Sequence, residues 1–135
     1  MQKIISISST KREELIDITE KVIGFVDESG IIEGICNVYV MGATASVIIQ
    51  ENWDKSVRED VIDLLSKLIP RGVWKHDSQD GNGDSHLKAG ILGPSESIPI
   101  IDGRIGLSKW QNIFVCDFDG PRDERKVVLT LDSLS

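Results

Sequence analysis

The stretch Ile31-Ile32-Glu33-Gly34-Ile35-Cys36-Asn37-Val38-Tyr39-Val40-Met41-Gly42-Ala43-Thr44-Ala45-Ser46-Val47-Ile48-Ile49-Gln50 decides the fold class. It is rich in β-branched and apolar residues and is interrupted at Met41-Gly42-Ala43, so it reads as two strands joined by a tight or bulged connection. Polar Asn37 leaves one face of the first strand incompletely apolar. Glu51 and Asn52 close the second strand just before a helix, a place from which side chains often reach a cleft; a plain polar strand end describes them equally well.

Working outward, residues 54–68 form the clearest helix. Val57, Val61, Leu64, Leu65 and Leu68 make one apolar stripe, Asp54 or Ser56 can cap its start, and Pro70 and Gly72 end it. Upstream, a helix is expected over 19–29, with Val22, Ile23 and Val26 on one face and Gly30 as the stop. Before it, alternation over 3–8 and 14–18 around Ser9-Thr10-Lys11-Arg12 gives two short strands; a helix opening at Thr10, with Glu13 completing a capping box, is the rival reading. Downstream, a polar loop over 77–86 leads to a short helix ending at Leu92. Strands then follow over 97–101, 104–107, 110–118 and 126–131, reversing at Asp102-Gly103 and at Asp119-Gly120-Pro121-Arg122. The C-terminal half is thus expected to be an antiparallel meander.

A chain of 135 residues, 40% of them apolar, supports one core, so 1–135 is read as a single domain. Fifteen basic against twenty-two acidic residues give a net charge of -7, which opposes binding to a nucleic-acid backbone. Cys36 and Cys116 have no CxxC spacing and read as buried free thiols. No apolar run has the character of a signal peptide or a membrane span, from which a soluble cytoplasmic protein is expected.

Chemistry concentrates in Trp74-Lys75-His76-Asp77-Ser78-Gln79-Asp80-Gly81-Asn82-Gly83-Asp84-Ser85-His86-Leu87-Lys88-Ala89-Gly90, which holds both histidines of the chain. An imidazole on each side of a flexible acidic turn can bring two neutral nitrogens to one divalent ion, although a complete site needs further ligands. Two surface histidines beside a polar loop are the plain alternative. A calcium loop starting at Asp80 is excluded, because its sixth position is Ser85 and its twelfth is Ile91. A dinucleotide fingerprint is excluded as well, since His86 stands where the third glycine belongs.

Gly81-Asn82-Gly83-Asp84-Ser85-His86-Leu87-Lys88-Ala89, Gly93-Pro94-Ser95, Asp102-Gly103, Trp110-Gln111 and Asp117-Phe118-Asp119-Gly120-Pro121-Arg122 together resemble the YjbQ-like family, also called the secondary thiamine-phosphate synthase family. Asp17-Ile18-Thr19, Ser29-Gly30 and Glu51-Asn52 precede them in the family's order. The resemblance implies an α+β subunit with a mainly antiparallel β-sheet core flanked by two main helices, assembled as a homotrimer with a metal-containing pocket. Some members join a pyrimidine diphosphate to a thiazole phosphate.

Carried onto this chain, the resemblance makes His76 and His86 metal ligands, with zinc the expected ion. A third family histidine is replaced: Gly42-Ala43-Thr44 stands where a His-Thr-Thr motif is usual, and Ser108-Lys109 replaces the Gly-Thr before Trp-Gln. Water or Asp84 would then complete the coordination, and Asp84 and Glu51 are the candidate general bases. Lys88, Arg122 and Ser95 are candidates for holding a phosphate, with Asn82 and Gln111 as further substrate-binding residues. Trp110 or Trp74 is placed to stack on a heteroaromatic ring. Glycine at position 42 admits two explanations, loss of a ligand or a need for positive φ.

Overall fold

The computed structural model describes residues 1–134. The chain begins with β1 (Gln2–Ser9), β2 (Glu14–Asp17), α1 (Thr19–Ser29), β3 (Gly34–Val40), β4 (Ala45–Glu51) and α2 (Lys55–Leu68). It continues with α3 (Asp77–Asp80), α4 (Gly83–Leu92), β5 (Ser95–Ile101), β6 (Arg104–Ile105), β7 (Gln111–Asp117) and β8 (Arg122–Ser133). The two strands of the deciding stretch form as expected, yet they belong to different sheets. β3 lies in a five-stranded sheet of order β1-β8-β3-β5-β6 and β4 in a three-stranded sheet of order β2-β7-β4, with every pairing antiparallel.

The burial pattern explains the division. Along β3, Cys36, Val38 and Val40 are buried while Ile35 and Tyr39 face outward, and β8 buries Val127, Leu129 and Leu131 in the same alternation. Each strand therefore has one covered face. β7 differs, because Ile113, Phe114, Val115 and Cys116 are all fully enclosed. Ile113 and Val115 join the main core with Val22, Phe25 and Val26 of α1, whereas Phe114, Cys116 and Phe118 pack with Leu65 of α2 and Ala89 of α4. A continuous apolar run is what a strand covered on both faces requires. The layers are thus the five-stranded sheet, a core shared with α1, the three-stranded sheet, and α2 with α4 outside it.

The expected meander is corrected by this arrangement. β5 and β6 do form a hairpin, with Asp102 and Gly103 at φ of 50° and 80° as a two-residue turn demands. β6 is only two residues long, however, and the chain then leaves for the other sheet at β7 and returns at β8. The return passes Gly120, where a Cβ would collide with the Lys11 carbonyl oxygen; the Gly120 N–H donates to Arg12 O at 2.9 Å.

One further boundary moved, while the two N-terminal strands form as expected. The rival helix at Thr10 is absent because Glu14 folds back to accept the Thr10 N–H at 2.8 Å, closing a turn between two strands. The 77–86 loop is largely helical, and α4 starts at Gly83. Asp77 organises that region by accepting the N–H groups of Trp74 (3.0 Å) and Gly83 (2.8 Å), and a Cβ at Gly83 would lie 2.8 Å from both Asp77 Oδ1 and the Trp74 Cβ. At α2, Asp54 accepts the Ser56 N–H at 2.8 Å, as the capping pattern requires. Asp17 performs that role for α1, accepting from the Thr19 N–H and hydroxyl.

Candidate functional site

The turn at Gly81 (φ 67°) reverses the chain between α3 and α4, and in doing so brings His76 against His86. Their ring centroids are 4.7 Å apart with the planes at 82°. His76 Nε2 lies 4.0 Å from Asp80 Oδ2 one helical turn away. His86 borders two hollows. One, of about 450 Å³, is walled by Trp74, His76 and Leu87; the other, of about 480 Å³, is walled by Gly42, Ala43, Ala45 and Pro94. Gly42, the position of the replaced family histidine, therefore shares a pocket with His86.

Two converging imidazoles are a suitable partial donor set for a borderline divalent ion such as zinc. Among the described residues no group of three His, Cys, Asp or Glu side chains is placed to hold a metal. Any ion bound by the pair takes its remaining ligands from solvent, from substrate or from another chain. Asp84 does not supply one, because its carboxylate is fully buried and engaged elsewhere.

That engagement is a four-member ionic network. Asp84 Oδ1 accepts from Arg12 Nη2 (2.9 Å), and Oδ2 accepts from Lys88 Nζ (2.9 Å) and Arg12 Nη1 (3.3 Å). Lys88, at 1% exposure, also donates to Glu13 at 2.7 Å, and Arg12 pairs with Glu13 at 3.1 Å. Burial pushes the Asp84 carboxyl up, but hydrogen bonds from Arg12 and Lys88, together with their charges, outweigh it and hold its pKa below the ordinary range. The same pairing raises Arg12. A carboxylate kept ionised in this way is poorly matched to general-base work near neutrality, and the Lys88 ammonium is spent on carboxylates.

The other candidates fall into two groups. Asn82 and Arg122 meet on Asp119, whose Oδ2 accepts from Asn82 Nδ2 (2.9 Å) and Arg122 Nη2 (3.2 Å). Ser95 opens β5 directly after Pro94 of the Gly42 pocket and sits opposite Tyr39. Glu51 and Gln111, by contrast, are register partners at the far end of β4 and β7. Glu51 is six residue steps along β4 from Ala45, about 20 Å at ~3.3 Å per residue, so within one chain neither reaches the histidines. Trp110 is at that far end too, edge-on to Trp53 at 4.8 Å, whereas Trp74 borders the histidines and donates its indole N–H to Pro70 O.

A second buried ion pair was not anticipated. Arg125 donates through Nη2 and Nε to Asp117 (2.8 and 3.3 Å), and Asp117 also accepts from Ser9 Oγ (2.6 Å) and the Asp119 N–H (3.0 Å). Burial pushes the Asp117 carboxyl up, yet the bonds from Arg125, Ser9 and Asp119 hold it below the usual carboxylate range. The one legible signal was Asp117 itself, a charge closing an otherwise apolar run. Gly42 is not among the positive-φ glycines, so a dihedral requirement does not explain it; the point where its Cβ would sit is 2.6 Å from Arg125 Nη1.

A histidine pair beside a pocket, on a single domain of two antiparallel sheets and four helices, defines the class to which this protein belongs: small α+β proteins. The family is that described as UPF0047 protein YjbQ-like, whose pattern matches residues 3–133, and the chain belongs to it. A UPF0047 protein of Methanocaldococcus jannaschii is 46% identical over 116 residues, covering 86% of this chain and 83% of that relative. The UPF0047 protein YugU of Bacillus subtilis is 38% identical over 125 residues, covering 90% and 92%. Among solved structures, a YjbQ-like protein of unknown function from Sulfolobus solfataricus superposes with a TM-score of 0.94 at 34% identity, covering 97% of this chain and 95% of that one. Among the described residues no helix is long and apolar enough to cross a membrane.

Proposed function

We propose that this protein is a cytoplasmic, metal-binding member of the family that holds zinc or a similar divalent ion through His76 and His86 and acts on a small phosphorylated heterocycle, as in secondary thiamine-phosphate synthesis. The observation that carries the reading is the meeting of the two imidazoles at the hollow that Trp74 and Leu87 also wall. A bound divalent ion there would supply positive charge to a phosphoryl oxygen. The chain's own part is to hold the two nitrogens, with Ser95 next to Pro94 of the pocket and Asn82 and Arg122 joined on Asp119. Asp84 and Lys88, bonded to Arg12 and Glu13, keep the helix bearing His86 in place.

A homotrimer accompanies this reading. Ile4, Val128 and Tyr39 form one row across β1, β8 and β3, and Ile4 and Tyr39 are 62% and 44% exposed on the outer sheet face. An apolar row in the open favours self-association. A neighbouring copy would also give Glu51 and Gln111 a site to act at. Light scattering at micromolar concentration is expected to give three times the 14.9 kDa chain mass, and a monomer would contradict the assembly.

The second reading is a non-catalytic trimeric metal or ligand binder, favoured by Asp84 being committed to the ionic network. Incubating the purified protein with the pyrimidine diphosphate and the thiazole phosphate separates the two. Thiamine phosphate above the level of His76→Ala and His86→Ala supports the enzyme; its absence supports the binder. Metal analysis is read independently, and equal metal in wild type and His86→Ala would remove that histidine from the site.

A further inference from the structure

A further hollow, of about 520 Å³, lies between α1 and the segment that joins β6 to β7. It shares no lining residue with either hollow beside His86. Ile23, Ile105 and Leu107, all half-buried, give it an apolar floor. Its sides carry opposite charge. Glu20 and Asp27 line it from α1, seven residues apart, or about 10 Å at ~1.5 Å per residue. Arg104 and Lys109 line it from the β6–β7 segment.

Across this hollow the charges do not pair. Among the described residues none of the four makes an ion pair, and Lys109 only leans over the Trp110 ring, its ammonium 4.8 Å from the centroid. The backbone holds the two sides apart. Arg104 is anchored opposite Ile101 in the β5–β6 hairpin, and the chain after it is tied by the Gly106 N–H to Pro99 O at 2.7 Å. Lys109 sits in a turn closed by the Gln111 N–H to Ser108 O at 3.1 Å and by the Ser108 N–H to Gln111 Oε1 at 2.9 Å. On the other side α1 is fixed through the Thr19 hydroxyl, which accepts the Ile113 N–H at 2.8 Å. An anion entering this space meets two carboxylates, and a cation meets a guanidinium and an ammonium. A molecule that carries both charges around an apolar body is complementary to all of it.

We propose that this hollow binds a small zwitterion, a free α-amino acid with an aliphatic side chain. Arg104 and Lys109 hold its carboxylate, Glu20 and Asp27 hold its ammonium, and Ile23, Ile105 and Leu107 seat its side chain. Charge-assisted hydrogen bonds at both ends fix the orientation, and the apolar floor selects the body between them. The site is separate from the histidine pair and does not depend on a metal there.

The test is titration of full-length, isotope-labelled protein, followed by its amide resonances, with leucine and with two analogues that each lack one charged group, isopentylamine and 4-methylpentanoate. Leucine is expected to shift amides within 20–27 and 104–109. Each analogue should bind about tenfold or more weakly, since each gives up the charge-assisted hydrogen bonds of one end. The double variant Glu20→Gln, Asp27→Asn should weaken leucine by about the same factor without weakening 4-methylpentanoate, and Arg104→Gln, Lys109→Gln should weaken leucine without weakening isopentylamine. All four side chains are exposed, so both variants are expected to keep the fold, which circular dichroism checks. No shifts at millimolar leucine, shifts confined to other residues, an analogue that binds as tightly as leucine, or unchanged leucine affinity in either double variant overturns the assignment. Glycine binding as tightly as leucine overturns the aliphatic part of it.

Discussion

Replacing Asp84 by asparagine keeps the side-chain volume and removes the charge that three donor groups share. Arg12 Nη1, Arg12 Nη2 and Lys88 Nζ all point at this carboxylate, and Asp84 and Lys88 are 0% and 1% exposed. An amide in its place offers one acceptor oxygen and turns an NH2 towards a donor. Removing one partner of a buried pair costs about 3–5 kcal/mol. Glu13 remains on Lys88 at 2.7 Å and lies partly in solvent, so the lower end, about 3 kcal/mol, is expected. Lys88→Met should cost less, about 1.5–3 kcal/mol, because Asp84 keeps both bonds from Arg12. Because they share one network, the double variant should lose less than the sum of the singles by about 0.5–3 kcal/mol. Urea unfolding at pH 7 with unchanged m-value measures all three, and melting should fall by roughly 3–5 °C per kcal/mol for a chain of this size. An Asp84→Asn loss under about 1 kcal/mol, or strict additivity, would refute the claim that the network is both buried and coupled.

Acid stability follows from two carboxyls. Asp84 and Asp117 have folded pKa values below their ordinary 3.8, so they bind protons less readily folded than unfolded. Their contribution is complete above the unfolded value and is lost as pH falls through the folded one. Unfolding free energy is therefore expected to decline below pH 3.8, and Asp117→Asn to flatten that decline; an equal slope in the variant would contradict it. Burial pushes the Cys36 thiol up to about 11 and Cys116 up to about 12, so a thiol reagent at pH 8 should label neither until urea is added, and stoichiometric labelling of native protein would overturn that. Gly42→His should add a third imidazole to the pocket of His86 and tighten zinc, while displacing Arg125 Nη1 and lowering stability by about 1–3 kcal/mol. Melting like wild type with unchanged zinc affinity would show that position 42 does not face the histidines.

What was legible in the sequence was whatever a single strand or helix decides locally. The helix over 19–29 carries its stripe and its Gly30 stop. That over 54–68 carries its Asp54 cap, though Leu64 and Leu68 of its expected stripe are exposed and of that stripe only Leu65 is buried. The Asp102-Gly103 hairpin carries its own turn geometry. The meander was illegible because sheet membership depends on how many faces are covered. Ile113 to Cys116 reads as a strand either way, and only the packing of α2 and α4 against Phe114 and Cys116 distinguishes a two-sided strand. The start of α4 was hidden for a related reason, since Asp77 fixes Gly83 across six residues and no periodicity reports such a bond. Of the site, the histidine pair was visible because both residues flank one turn. Arg12, Glu13 and Arg125 were not, because their partners lie 72, 75 and 8 or 81 positions away.

Position 42 joins these threads. Its lack of a side chain removes a nitrogen ligand that the family resemblance leads one to expect, and the same lack leaves room for Arg125 Nη1 behind it. The two consequences cannot be separated sterically, because a Cβ alone already brings position 42 within 2.6 Å of that nitrogen. A histidine at 42 and a guanidinium in this position therefore compete for one space. In this chain the metal reading must rest on His76 and His86 with ligands from outside the chain.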